Sequence, residues 1–108
     1  MLSTVLMNAQ LNSEAQLLKD KLPEEYNLIK LLASEKWEGN HEMMVYVINN
    51  QAKAFIEVTE IMKASNYDKD ILGKSLLKWN KLIKGKKCYN WEMVLYMYKN
   101  QLKAKNEY

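Results

Sequence analysis

The sequence predicts an all-α fold, a compact bundle of about five helices around a long central helix at about 41–64. Three observations lead there. Apolar residues recur at spacings of three and four in every segment, which puts them on one face of a helix. Alternation of the strand kind over five or more residues is hard to find. Glycine (three) and proline (one) are scarce, and glycine-rich turns are absent. The 108 residues suffice for one core, so residues 1–108 are expected to form a single helical domain.

The first helix is expected at about 4–21, where Met7, Leu11, Ala15, Leu18 and Leu22 share a face. Ser13 followed by Gln16 fits a capping box, so a break near Asn12 and a shorter helix from 14 is the alternative. One continuous helix is preferred. Pro23 ends it and opens the next, because a first-turn residue has no helical use for its N–H. Glu24 and Glu25 follow at the positive end of that helix dipole, and Gly39 stops the helix.

Asn40 is the expected N-cap of the central helix. Met43, Met44, Val47, Ile48, Ala52, Phe55, Val58, Ile61 and Met62 make its apolar face, which leaves only a narrow polar stripe. Gln51 falls within that face and requires a buried hydrogen-bond partner. Tyr67-Asp68-Lys69-Asp70-Ile71 and Tyr89-Asn90-Trp91-Glu92-Met93 are then two helix starts written alike. Each has an aromatic residue, an Asx cap and an acid in the first turn. They predict helices at about 69–84 and 91–105, separated by Gly85-Lys86-Lys87-Cys88.

All sixteen basic residues are lysine, and Lys, Asn, Tyr and Met are plentiful. This usage matches an AT-rich genome, such as a low-GC bacterium, its phages or its plasmids. Without arginine there is no bidentate fork for phosphate, carboxylate or guanine. Residues 1–67 hold six lysines and nine acids, net −3; residues 68–108 hold ten lysines and four acids, net +6; together they give +3. The single Cys88 excludes an internal disulfide. The N-terminus lacks the charge and apolar length of a signal peptide, and no stretch reaches bilayer length. The expected location is the bacterial cytoplasm.

Few residues can carry chemistry. His41 sits beside a helix start and reads as a solvated end residue, and a Cys88–His41 pair would need a third, orienting group. Asp68-x-Asp70 lacks the later ligands of a calcium loop, since Leu72 and Trp79 stand where oxygen donors are needed. Gly73-Lys74-Ser75 has Asp68 where a phosphate-binding loop needs its first glycine. No catalytic residue, cofactor or metal is therefore expected, and no small-molecule substrate.

Two surfaces remain. On a helix over 69–84, Lys74, Lys78, Lys81 and Lys84 share one side, and Lys86 and Lys87 extend it. This is a solvated face or a footprint for phosphates or an acidic partner. In the last helix, Trp91, Val94, Leu95, Tyr98 and Leu102 form a core stripe, while Met93, Tyr96 and Met97 lie outside it. A helix apolar on two sides needs two neighbours, either the N-terminal segment or another chain. The expected function is that of a small regulatory or inhibitory protein, not an enzyme, binding a protein partner or a second copy through Met93, Tyr96 and Met97. The alternative is a helix-turn-helix-like DNA-binding accessory protein using the lysines. Its proposed reading helix would open with Trp91, Glu92, Met93 and Val94, which suits base edges poorly. Size, helicity and basic charge also resemble cytoplasmic bacteriocin-immunity proteins as a class, without a shared motif.

Overall fold

A computed structural model describes residues 10–107. It contains helices α1 (Ser13–Lys21), α2 (Pro23–Trp37), α3 (His41–Lys63), α4 (Lys69–Lys78) and α5 (Trp91–Glu107). Between α4 and α5 stands a hairpin of β1 (Asn80–Ile83) and β2 (Lys86–Tyr89). The fold is a small all-α bundle carrying this one two-stranded sheet.

The helix starts are set by side-chain caps. Asn40 Oδ1 accepts from Met43 N–H at 3.2 Å, and Asp68 Oδ1 from Ile71 N–H at 3.0 Å. Asn90 Oδ1 accepts from Met93 N–H at 3.3 Å. Each bond satisfies one of the donors a helix leaves open at its start. Pro23 opens α2 directly after Leu22, which closes α1. Gly39 turns the chain into α3 with φ +89°, a left-handed conformation that favours glycine.

The helix expected over 4–21 does not run through Asn12. Residues 10–12 are non-helical, and the earlier part of that prediction lies outside the described residues. Asn12 is itself the N-cap, its side chain accepting from Ala15 N–H at 2.7 Å. Its own N–H donates to Asn49 Oδ1 at 2.9 Å, and its Nδ2 to the Asn49 carbonyl at 3.2 Å. These bonds hold the start of α1 against mid-α3, in a geometry a continuous helix would forbid. The Ser13–Gln16 capping box is not formed; Gln16 Nε2 donates to Asp20 instead.

The helix expected over 69–84 ends at Lys78. Asn80 Nδ2 donates to the carbonyls of Leu76 (2.9 Å) and Leu77 (2.8 Å), capping the last turn. The chain then pairs antiparallel, Ile83 opposite Lys86 and Asn80 opposite Tyr89. Lys84 and Gly85 connect the strands with φ +51° and +78°. Positive φ at both central residues is the type I′ pattern, whose twist matches that of paired strands. Ile83 and Cys88 are buried, and both strands pack against α2.

Helix α3 is central: α1, α2 and α5 all pack on it, and α4 packs on α5. Leu18, Ile29, Ile48, Phe55, Val58, Leu72, Val94 and Tyr98 belong to one buried cluster. The Phe55 and Trp91 rings meet edge to face, centroids 4.9 Å apart. Gln51, only 2 % exposed, finds the partner its position demands. Its Oε1 accepts from Trp91 N–H at 2.6 Å and its Nε2 donates to Asn90 Oδ1 at 2.8 Å.

Candidate interaction surfaces

Helix α5 is fastened at both ends. Gln51 holds its first turn. Further along, Tyr98 Oη accepts from Asp68 N–H at 3.1 Å, and Lys105 Nζ lies 2.7 Å from Asp68 Oδ2. The Ile71 amide first, and then the Lys105 ammonium, hold the Asp68 carboxyl below its ordinary range. Asp68 is thus a helix cap and an ion-pair partner, as the capping reading of Asp68-x-Asp70 expects.

Helix α5 packs on both α3 and α4, and most of the N-terminal segment expected as its second neighbour lies outside the described residues. Met93 and Met97 are half-buried, whereas Tyr96 is 61 % exposed. Tyr96 lines an open cleft of about 380 Å³ between α3 and α5. Buried Ala54 and half-buried Leu95 are among its lining, with Lys53, Glu57 and Lys99. Lys99 pairs with Glu57, which ties the two helices together beside the opening. Met93 and Met97, on the same helix, do not line this cleft.

The six lysines of the expected basic helix fall on two different elements. Lys74 and Lys78 are on α4, while Lys81, Lys84, Lys86 and Lys87 are on the hairpin. Lys74 pairs with Asp70 at 3.2 Å, and Lys81 with Glu35 of α2 at 2.7 Å. Lys78 Nζ lies 5.9 Å from the Trp79 ring centre. Among the described residues, Lys78, Lys84, Lys86 and Lys87 form no ion pair within 4.0 Å. The lysine surface is real, but a hairpin carries most of it. A helix-turn-helix is not formed, because paired strands stand where the turn was expected.

His41 is exposed in the first turn of α3, an end residue as read. Cys88 is 1 % exposed, and burial chiefly, with the Glu35 and Glu25 carboxylates, pushes its thiol up against the opposing effect of Lys86. A buried thiol with a raised pKa is a poor nucleophile. Gly73 and Lys74 lie inside α4, and Ser75 Oγ donates to the Ile71 carbonyl at 2.9 Å, so these residues form no phosphate loop. Among the described residues, no group of three or more His, Cys, Asp or Glu could hold a metal ion. No helix among them is long and apolar enough to cross a membrane. In comparisons with known proteins, no family model, curated protein or solved structure matches this chain.

Proposed function

We propose that this chain is a small non-catalytic regulatory or inhibitory protein that acts by binding a protein partner, with α5 at the centre of the contact. The observation behind this reading is Tyr96. It is a large aromatic side chain, mostly exposed, at the edge of an open cleft with apolar residues in its lining. Aromatic residues and methionine are enriched where proteins meet, and half-buried Met93 and Met97 flank it on the same helix. The partner would insert an apolar side chain between α3 and α5 and leave the Lys53, Glu57 and Lys99 charges at the rim. The lysine-rich, arginine-free composition is consistent with a phage or plasmid gene of a low-GC bacterium, and an immunity-type inhibitor falls within the same reading.

DNA binding through Lys74, Lys78, Lys81, Lys84, Lys86 and Lys87 is the second reading. The unpaired lysines favour it; Glu92 in the first turn of α5 and the interposed hairpin disfavour base readout.

Affinity capture from a low-GC bacterial lysate, with and without nuclease, separates the two. Expected is a captured protein that persists after nuclease treatment. Tyr96→Asp and Met97→Asp should each abolish its capture, since a buried unpaired charge costs several kcal/mol. Tyr96→Asp is the safer variant for the fold, because the side chain is already mostly in water. Lys78→Glu with Lys81→Glu should matter less. Capture that is lost with nuclease, or lost in the lysine variant and kept in Tyr96→Asp, would overturn the proposal in favour of nucleic acid.

A further inference from the structure

The outer face of the hairpin combines two features that protein docking at Tyr96 does not use. Leu77 is 78 % exposed and Leu82 is 70 % exposed, the two most exposed large apolar side chains among the described residues. Lys78 follows Leu77 in the chain, Lys84 lies two residues after Leu82 and Lys87 is opposite it, while Lys86, opposite Ile83, belongs to the hairpin's other face. The register sets Leu82 and Lys87 on one side. Leu82 pairs across the strands with Lys87, and directly opposed residues share a face. Asn80, two residues before Leu82, is on that face too, and its side chain bonds the Leu77 carbonyl. The other face is anchored to α2, with Ile83 and Cys88 buried and Lys81 paired with Glu35.

We infer that this face docks on an anionic lipid surface, with Leu77 and Leu82 entering the interface and the lysines around them meeting the headgroups. Charge complementarity selects the occupant. Lys78, Lys84 and Lys87 form no ion pair within 4.0 Å among the described residues, so their charge is available to an external anion. Lysine is a point charge on a flexible stem; it suits the diffuse field of a charged bilayer and lacks the fork that reads phosphate or guanine in fixed geometry. A nucleic-acid backbone gives two exposed leucines no role, whereas apolar side chains set among lysines are a common pattern at bilayer surfaces. The lipid headgroups need only carry net negative charge.

Vesicle co-sedimentation with the full chain tests this. The probes are phosphatidylcholine vesicles and vesicles with about one-third phosphatidylglycerol, at low salt and at roughly 0.15 M salt. Expected is binding to the anionic vesicles only, weaker at the higher salt. Leu77→Gln with Leu82→Gln should lower affinity about tenfold or more at both salts, with an unchanged circular-dichroism spectrum. Lys84→Gln with Lys87→Gln should lower it and flatten the salt dependence. Tyr96→Asp should leave vesicle binding unchanged, which keeps this surface distinct from the protein-binding one. No retention on anionic vesicles at low salt would overturn the inference. So would full binding by the leucine variant, or capture of duplex DNA in preference to vesicles that is indifferent to the leucine changes.

Discussion

Gln51→Leu isolates the polar link between the central helix and α5. Leucine is close to glutamine in size, so the change removes hydrogen bonds without opening a large cavity. Three bonds disappear: the one accepted from Trp91 N–H at 2.6 Å, the one donated to Asn90 Oδ1 at 2.8 Å, and a long one donated to Glu92 Oε1 at 3.5 Å that counts for little. Asn90 Oδ1 keeps the Met93 N–H, so its loss is partial, about 0.5–1.5 kcal/mol. The Trp91 amide is left buried and unpaired, at about 1–3 kcal/mol. Burying the extra apolar surface of leucine returns about 1 kcal/mol. The expected net destabilisation is about 2 kcal/mol. Urea denaturation followed by tryptophan fluorescence reads it, because Trp91 sits at the altered site. With slopes of about 1–3 kcal/mol/M for a small protein, the midpoint should fall by about 1 M. A midpoint within roughly 0.2 M of the parent, or above it, would refute the claim that this amide holds the start of α5.

Phe55→Ala should destabilise by about 3–5 kcal/mol in the same titration, since it removes a buried ring from the α3 face that meets Trp91; a loss under about 1 kcal/mol would mean that this face is not central. Asp68→Asn keeps a competent cap but loses the Lys105 pair. The folded-state pKa of Asp68 is depressed, so its extra stabilisation is fully present above the unfolded value near 4 and is lost as pH falls through the lower folded value. Parent and variant denaturation midpoints should therefore differ at pH 7 and converge on acidification, and a gap that stays constant would contradict the assignment.

Short-range signals were the legible ones. Asn40, Asp68 and Asn90 are caps recognisable from their neighbours alone, and each caps a helix here. Gln51 was legible as a residue in need of a partner, because an amide on an apolar face cannot remain unbonded. At Asn12 the break stood only as the alternative to a continuous helix, because the group that decides for it, Asn49, is 37 residues away. The hairpin was hidden for two reasons. Its strands have four residues each, too few for alternation to register, and Lys84 adopts a left-handed conformation usually given to Asn, Asp or Gly. The same turn redistributed the expected basic surface: lysines three and four apart share a side only if the helix continues. On α5, the helical period set Tyr96 apart from the core, yet it could not show that Met93 and Met97 are half-buried while Tyr96 is mostly in water.

The placement of α5 also governs when the molecule can become itself during synthesis. Helix α3 is complete at Lys63, but Trp91, Val94 and Tyr98, which belong to the same buried cluster, are made later. At about 5–20 residues per second, the ribosome takes several seconds to cover that interval. Through it, the Phe55 ring has no Trp91 to meet, and the Gln51 amide has none of its partners. The nascent α3 therefore passes through a period as a sticky amphipathic helix, when chaperones or stray hydrophobic surfaces compete with α5 for it.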